Sequence, residues 1–187
     1  MEKLKRYFER IGFAGPDLEK ILASLQCRTF KKNDFVVQFG KTSRHIGFVE
    51  SGMFQYYVLK DGEEKTTYIS IENTFLASVL SFVSETPALE NIRALTDGSI
   101  SLISKPNLQA LISEVPQFKD FYIKLLESTI CGIDASRIDL IVLTAEQRYE
   151  KMLREEPFLL QQIPLQYLAS ILGVTPRHLS RIRSTIR

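Results

Sequence analysis

The sequence of 187 residues contains only two cysteines and two histidines, which limits the chemistry that it can support. Cys27 and Cys131 are far apart and form no C-x-x-C pair. Neither a disulfide framework nor a four-ligand zinc or iron–sulfur site can be assembled from them, which favours a reduced, cytoplasmic location. We therefore expect no metal and no cofactor.

The scarcity of histidine also argues against an enzyme. Metal-dependent oxygenases and isomerases built on β-rolls gather two or three histidines and a carboxylate. Here only His45 lies outside the C-terminal segment, and H-E-x-x-H, a glycine-rich phosphate loop and a Ser/His/Asp or Cys/His pairing are all absent. We expect no catalytic activity, and we expect His45 to lie in a surface turn.

Long apolar runs are missing as well. The N-terminal sequence MEKLKRYFERIGF is charged and amphipathic, unlike a signal peptide. The longest uncharged stretch, 157–176, contains prolines, glutamines and a glycine, so no membrane span is expected. The content of 44% hydrophobic and 25% charged residues is that of a soluble globular protein. The length predicts one domain with a smaller companion.

The net charge of +2 is distributed unevenly along the chain. Residues 157–187 contain four arginines and no acidic residue, so the rest of the chain is slightly acidic. A local excess of positive charge is typical of a surface that binds a polyanion. The alternative is a solvated basic tail.

The pattern of the first hundred residues predicts two short helices followed by antiparallel strands. The helices are expected at 2–11 and 17–25, with Asp17 as an N-cap. Asp61-Gly62 is a strong hairpin signal, because a type I′ turn needs positive φ at both central residues. Short β-rich runs predict a sandwich or roll, with strands at 35–39, 46–50, 54–59, 66–71, 92–95 and 99–103.

Helices are predicted from residue 104 onwards. Ser104 is expected to cap a helix that ends before Pro116, and Thr144 with Gln147 forms a capping box for another that ends near residue 155. Between them, 117–143 predicts one helix of about 40 Å. Its apolar residues are spaced alternately by three and four, with one arginine among them, which is typical of a helix that pairs with a second helix. This dimerisation seam consists of Ile123, Leu126, Ile130, Ile133, Arg137 and Leu140. A buried core helix is the alternative.

A second apolar set on the long helix, Phe118, Phe121, Tyr122 and Leu125, lies on a different side near its start. This set suits packing against the β-rich domain.

The most restrictive pattern is LQYLASILGVTPRHLSRIR at 165–183. A helix-turn-helix requires a small residue where its helices meet and, four positions later, a residue able to adopt positive φ. Ala169 and Gly173 meet both requirements, and Thr175 and Pro176 suit the start of a second helix. The apolar anchors are Leu168, Leu172, Val174, Leu179 and Ile182.

With these anchors buried, three polar residues project from the second helix. Arg177 and Arg181 could each bind the O6 and N7 acceptors of guanine in a major groove, while Arg183 and Arg187 suit phosphates. His178 could contact DNA or be an exposed residue without a special role. Thr175 and Pro176 complete the predicted DNA-binding set.

The sequence resembles the Crp/Fnr family of bacterial transcription regulators over nearly its whole length. The resemblance rests on LASILGVTPRHLSRIR, on Phe39-Gly40, on GFVESGMFQYYVL at 47–59 and on RALTD at 93–97. It implies an α+β protein with three parts. Residues 1–115 would form N-terminal helices and an antiparallel β-roll (a double-stranded β-helix) like that of cyclic-nucleotide-binding domains. Residues 116–143 would form a dimerisation helix, and residues 144–187 would form a DNA-binding domain with a helix-turn-helix of the winged-helix type.

This resemblance implies a cytoplasmic homodimer that binds palindromic double-stranded DNA, with half-sites about 34 Å apart. RNA polymerase is the further partner that it implies. The sequence ends soon after the second helix of the pair, so we expect the C-terminal wing to be reduced or missing.

The sequence departs from the family at the effector site. Counting back from RALTD, the family's phosphate-binding arginine and serine fall on Ala88 and Leu89, and its ribose-binding glutamate falls on Ser78. A buried phosphate without a cation is heavily penalised, so we expect no cyclic AMP binding in the family's manner. Arg93 remains, at a position that suits a framework role. An unknown effector, or none, is therefore expected in this degenerate pocket.

A rival interpretation treats the C-terminal helices as a protein-docking surface in a structural dimer. It predicts no salt-sensitive affinity for duplex DNA.

Overall fold

The computed structural model describes residues 1–186, apart from the side chain of Phe158. The chain divides into two compact units. The first comprises Met1–Glu64 and Tyr68–Tyr122, and the second comprises Lys65–Thr67 and Ile123–Arg187. Antiparallel sheets and a long helix give a mixed α+β protein, which confirms the predicted fold class at this level.

The strands form two four-stranded sheets, and the pairings described in them are antiparallel. One sheet has the order β1-β8-β3-β6 and contains β1 (Leu25–Phe30), β8 (Gly98–Ser104), β3 (His45–Ser51) and β6 (Phe75–Leu76). The other has the order β2-β7-β4-β5 and contains β2 (Phe35–Val37), β7 (Asn91–Ala94), β4 (Phe54–Lys60) and β5 (Glu63–Ser70). Strands β1 and β2 are therefore both edge strands.

The turn between β4 and β5 confirms the hairpin predicted at Asp61-Gly62. Asp61 has φ of +55° and Gly62 has φ of +80°, as a type I′ turn requires. A local sequence signal thus predicted this turn correctly.

The core of the roll is formed by side chains that alternate inward from the strands of both sheets. Val49, Phe54, Ile92 and Ile100 are completely buried there. Each such aliphatic or aromatic side chain contributes roughly 1.5–3 kcal/mol by its removal from water.

Helices α1 (Glu2–Arg10), α2 (Gly15–Ala23) and α4 (Lys105–Glu114) build a second core with the start of the long helix. Its aromatic residues include Phe8 and Phe118, and Phe121 and Tyr122 pack at its margin, as their predicted role requires. The buried carboxylate of Glu50 accepts hydrogen bonds from the backbone N–H groups of the α1 residues Lys3 and Leu4 at 3.0 and 3.4 Å.

Several sequence predictions in this unit were wrong. Residues 17–25 were expected to be helical with Asp17 as N-cap, whereas Ala14 precedes the helix and Leu25 begins β1. Pro16 explains the earlier start, because its fixed φ and missing N–H suit the first turn. His45 is exposed but begins β3 instead of lying in a turn. Strand β6 and helix α3 (Val79–Ser84) were not predicted.

The long helix α5 (Pro116–Val142) has 27 residues and lies one residue earlier than predicted. It is followed by α6 (Ala145–Glu155), whose capping box of Thr144 and Gln147 is confirmed by both of its hydrogen bonds. The remaining helices are α7 (Pro157–Gln162), which was not predicted, α8 (Leu165–Ile171) and α9 (Pro176–Thr185). In the part of the chain that the structure describes, none of the helices has the length and apolarity needed to cross a membrane.

Candidate nucleic-acid interface

Helices α8 and α9 are joined by a short turn in which Gly173 has φ of +69°. The backbone N–H of Val174 donates to the carbonyl of Ala169 at 2.9 Å, and that of Gly173 donates to Ser170 at 3.0 Å. These two bonds form a Schellman motif, which satisfies carbonyls at the end of α8. Glycine suits this position because a side chain disfavours the left-handed backbone conformation.

The apolar anchors of this segment turn inward. Leu168, Leu172 and Leu179 are at most 1% exposed, and Ile182 is 3% exposed. Ala169 is completely buried between them, where a larger side chain would separate the helices. Because the buried positions occupy one face of α9, its orientation about its own axis is fixed.

The start of α9 is stabilised as predicted. The Thr175 hydroxyl accepts a hydrogen bond from the backbone N–H of His178 at 3.2 Å, and Pro176 occupies the first turn. Thr175 thereby satisfies one of the N–H groups that a helix start leaves without a partner.

Arg177 and Arg181 lie on the outer face of α9, one helical turn apart, and both are exposed. Among residues 1–186, neither guanidinium has an ion-pair or hydrogen-bond partner. Two guanidinium groups on one exposed helix face can therefore bind a ligand without first breaking an internal bond.

His178 is already engaged. Its Nε2 lies 3.1 Å from Oε1 of Glu146 at the start of α6. Hydrogen bonds from its own backbone N–H and from Thr144 hold the pKa of Glu146 below its ordinary value, and His178 adds to this effect. The carboxylate is thus negative at neutral pH, and any DNA contact by His178 has to compete with it.

Arg183 is half-buried, and its Nε donates to the hydroxyl of Tyr149 at 3.2 Å. Tyr149 is itself buried at 4% exposure in α6. This bond directs one edge of the guanidinium inward and leaves its other N–H groups available. The phosphate contact predicted for Arg187 lies outside the described residues.

The residue that sequence reasoning missed is Arg148 in α6. Its Nη1 donates to the carbonyl of Leu143 at 2.7 Å, and its Nη2 donates to the carbonyl of Leu172 at 2.6 Å. Leu172 is the C-cap of α8, and Leu143 follows the last residue of α5. A cation is favourable at both places, because helix C-termini carry unpaired carbonyls and partial negative charge. No local pattern distinguishes Arg148 from an ordinary surface arginine.

A second link joins α6 to the long helix, since Nζ of Lys151 lies 2.7 Å from Oδ2 of Asp139. With Arg148, it gives α6 polar bonds to the end of α5 and to the α8–α9 turn. The position of α9 is therefore determined by the helices around it as well as by its own anchors.

The seam predicted on α5 is open to solvent in the single chain. Ile123, Ile130, Ile133 and Leu140 are 43%, 65%, 57% and 60% exposed, and Leu126 is half-buried. Arg137, its one polar member, pairs with Asp134 one turn away at 2.9 Å. A row of exposed isoleucine and leucine is costly in water unless another surface covers it.

The structure places the predicted effector residues in different environments. Ser78 and Ala88 are 2% and 1% exposed, whereas Leu89 is 64% exposed. Ser78 donates to Oε1 of Glu90 at 3.0 Å, and burial raises the pKa of Glu90. A partly buried carboxyl group therefore lies beside the position expected to bind ribose.

Arg93 is held by several groups of the roll. Its Nη2 lies 2.6 Å from Glu64 and 2.8 Å from Gln55, and its guanidinium stacks 4.7 Å from the Tyr57 ring centroid. These partners satisfy most of its donors, in keeping with a framework role.

Comparison with known proteins first identifies the roll. Residues 27–115 match the family model of the cyclic nucleotide-binding domain, so this part of the chain is similar to that class of domain. No curated protein matches the sequence.

Comparison with solved structures extends the similarity to most of the chain. The catabolite activator protein of Thermus thermophilus is 20% identical with a TM-score of 0.60 and covers 94% of this chain and 84% of its own. The c-di-GMP responsive global regulator CLP of Xanthomonas campestris is 18% identical with a TM-score of 0.68, covering 91% and 90%.

FixK2 of Bradyrhizobium japonicum is 15% identical with a TM-score of 0.70 and covers 87% of this chain and 84% of its own. These structural neighbours are transcription regulators of the Crp/Fnr family. The chain shares their fold, as the resemblance seen in the sequence predicts.

Proposed function

We propose that this protein is a transcription regulator of the Crp/Fnr type that binds a specific palindromic DNA site as a homodimer. The observation that carries the proposal is the pair of exposed, unpaired arginines, Arg177 and Arg181, on a helix whose opposite face is fully buried. The fold shared with regulators supports it.

Recognition is assigned to α9. Arg177 and Arg181 would bind guanine edges in the major groove, each pair giving about 1–3 kcal/mol of discrimination. Arg183, restrained by Tyr149, would bind a phosphate. Thr175 and Pro176 would contact the sugar–phosphate backbone of the DNA at the start of the helix. We assign these contacts to α9.

A DNA contact by His178 depends on its bond to Glu146. Its bond to Glu146 has to open before the imidazole can reach a base or a phosphate. Because this bond competes with any contact to DNA, His178 contributes less than the two free arginines.

The homodimer is assigned to the α5 seam. Pairing of two copies would cover the exposed Ile130, Ile133 and Leu140 and present two α9 helices to successive turns of the duplex, about 34 Å apart. Arg137 would lie in this seam as the polar residue that restricts register.

The proposal includes no binding of cyclic AMP in the family's manner. Ala88 and Leu89 provide no charge for a phosphate, and Glu90 beside Ser78 adds a carboxyl group instead. Isothermal titration calorimetry with cyclic AMP and cyclic GMP should show no heat of binding. Micromolar affinity for either nucleotide would refute this part of the proposal.

Selection of preferred duplexes from a random pool tests the whole proposal. A symmetric selected site would give the target sequence and would show that two copies of the protein bind it. On that site, the affinity should fall steeply with salt, with a log–log slope of about −0.9 for each phosphate contact. The double variant Arg177→Gln/Arg181→Gln should lose sequence preference.

The matched control removes two exposed lysines of the roll, Lys32→Gln/Lys60→Gln, and so changes the net charge equally. It should retain the preferred sequence. The rival function, a structural dimer that docks proteins, would be supported by salt-insensitive or absent DNA binding.

A further inference from the structure

A cavity of about 440 Å³ opens between the edge strands β1 and β2 and the loop that joins β2 to β3. This volume lies within the range of roughly 300–1,000 Å³ that is usual for small-molecule sites. The predicted effector residues Ser78, Ala88, Leu89 and Arg93 are not among the described residues that line it.

The floor of the cavity is apolar. Phe30, Val37 and Leu102 line it and also belong to the core of the roll, where they are 3%, 8% and 6% exposed. The cavity therefore extends down to the core at the edge of the two sheets, and Phe35, which also lines it, is 38% exposed. A ligand that covers this floor gains stabilisation from its own apolar surface.

The rim of the cavity is basic. Arg28, Lys41 and Arg44 line it, are exposed and have no ion pair within the described chain. Among residues 1–186, no aspartate or glutamate contributes to the lining. The Arg28 guanidinium lies 5.0 Å from the centroid of the Phe30 ring, which holds the cation directly above the apolar floor.

His45, the fourth basic residue of the lining, reports the same positive field. Burial, with Arg28 and Arg44 nearby, lowers the pKa of its imidazole. The neutral ring can donate or accept a hydrogen bond at the rim.

We propose that this cavity binds an amphiphilic anion, with a carboxylate or phosphate head at Arg28, Lys41 and Arg44 and an apolar body over the floor. Arginine binds such planar or tetrahedral oxyanions through paired N–H groups. An inorganic anion would leave the apolar floor uncovered, and an apolar cation would be repelled by the rim. This proposal concerns the roll alone and does not depend on DNA binding.

The loop that forms the basic rim is bonded to the neighbouring segment 81–88. The backbone N–H of Ala88 donates to the carbonyl of Lys41 at 3.0 Å, and that of Gly40 donates to Ala88 at 2.9 Å. The backbone N–H of Ser43 donates to the hydroxyl of Ser81 in α3 at 2.8 Å. A ligand that orders the loop would therefore also order α3 and the segment after it.

Calorimetry on the full chain tests the site with two probes that share a ten-carbon chain, decanoate and decyl phosphate, used below their micellar concentrations. At least one should bind, and the difference between them identifies the preferred head group. Arg28→Gln/Arg44→Gln should weaken binding at least tenfold, whereas Lys32→Gln/Lys60→Gln, with the same loss of charge, should leave it unchanged. Lys41→Gln, a milder change, should weaken binding severalfold.

Four results would overturn the proposal. Inorganic phosphate that binds as tightly as decyl phosphate would show that the floor contributes nothing. Decyltrimethylammonium that binds as tightly as the anions would show unselective adsorption of surfactant. Failure of both anions to bind, or equal weakening by the control variant, would exclude the basic rim as a site. Circular dichroism of each variant verifies that the roll has folded.

Discussion

Replacement of Arg148 by methionine should destabilise the second unit of the chain by roughly 2–4 kcal/mol, because two hydrogen bonds from a cation are lost at once. The guanidinium joins the carbonyls of Leu143 and Leu172, which belong to different helix ends. Methionine retains an unbranched side chain that fills similar space, so the variant removes the bonds with little change in packing.

The magnitude follows from the geometry. A hydrogen bond that involves a charged group contributes about 1.5–3 kcal/mol, and Arg148 makes two at 2.7 and 2.6 Å. The residue is half-buried, so water can replace part of each bond, and the expected total falls below the sum. Arg148→Lys can reach only one carbonyl and should lie between the wild type and Arg148→Met.

Hydrogen exchange is the sharpest assay, because it resolves local opening within one unit. The amides of Gly173 and Val174, which are bonded to Ser170 and Ala169, should exchange roughly 30-fold to 1,000-fold faster in Arg148→Met, as 1.4 kcal/mol corresponds to a factor of ten. Arg154→Met, an exposed position on the same helix, is the matched control and should change stability by less than about 0.5 kcal/mol.

Equal exchange in Arg148→Met and Arg154→Met would refute the reasoning, since the two bonds would then contribute nothing to the α8–α9 segment. If the segment opens more often, a smaller fraction of molecules is competent to bind DNA. The affinity for the selected site should fall in proportion to that fraction.

Three further predictions concern the DNA contact, the dimer and the roll. Arg177→Ala should weaken binding to the selected duplex by about 1–3 kcal/mol and relax the sequence preference at one base pair. An equal loss of affinity on every sequence would instead assign Arg177 to a phosphate contact. Ile130→Glu should shift sedimentation towards monomer, with Glu127→Gln as control, and an unchanged dimer would exclude the seam. Because burial raises the pKa of Glu90 above 4.5, the folded state binds its proton more tightly than the unfolded state. Glu90→Gln should therefore raise the urea midpoint at neutral pH, and this gain should vanish as the pH falls below 4.5; a gain that grows in acid contradicts it.

Features that depend on a few consecutive residues were predicted correctly from the sequence. The capping box at Thr144, the caps at Ser104 and Thr175 and the turn at Asp61-Gly62 all occur as expected. In each of them the interacting residues are at most three positions apart, so only a short segment has to be ordered for the interaction to form.

Elements that depend on distant partners were missed. Strand β1 carries four exposed residues in a row and gives no alternating pattern, but it pairs along its whole length with β8, some 70 residues later. Strand β6 has two residues and exists because Gly47 and Phe48 of β3 lie beside it. Neither sequence alone contains enough signal to specify a strand.

The candidate sites divide in the same way. By itself, the sequence determined the outward arginines of α9, because its helical period and its buried leucines fix which side chains face away. The tertiary structure alone decided that Arg148 bridges two helix ends, that Glu146 contacts His178, and that Arg28 and Arg44 line the same cavity. Arg148 is 24 residues from Leu172 in sequence, Glu146 is 32 from His178, and Arg28 is 16 from Arg44, and no local pattern encodes which of these groups will lie close together.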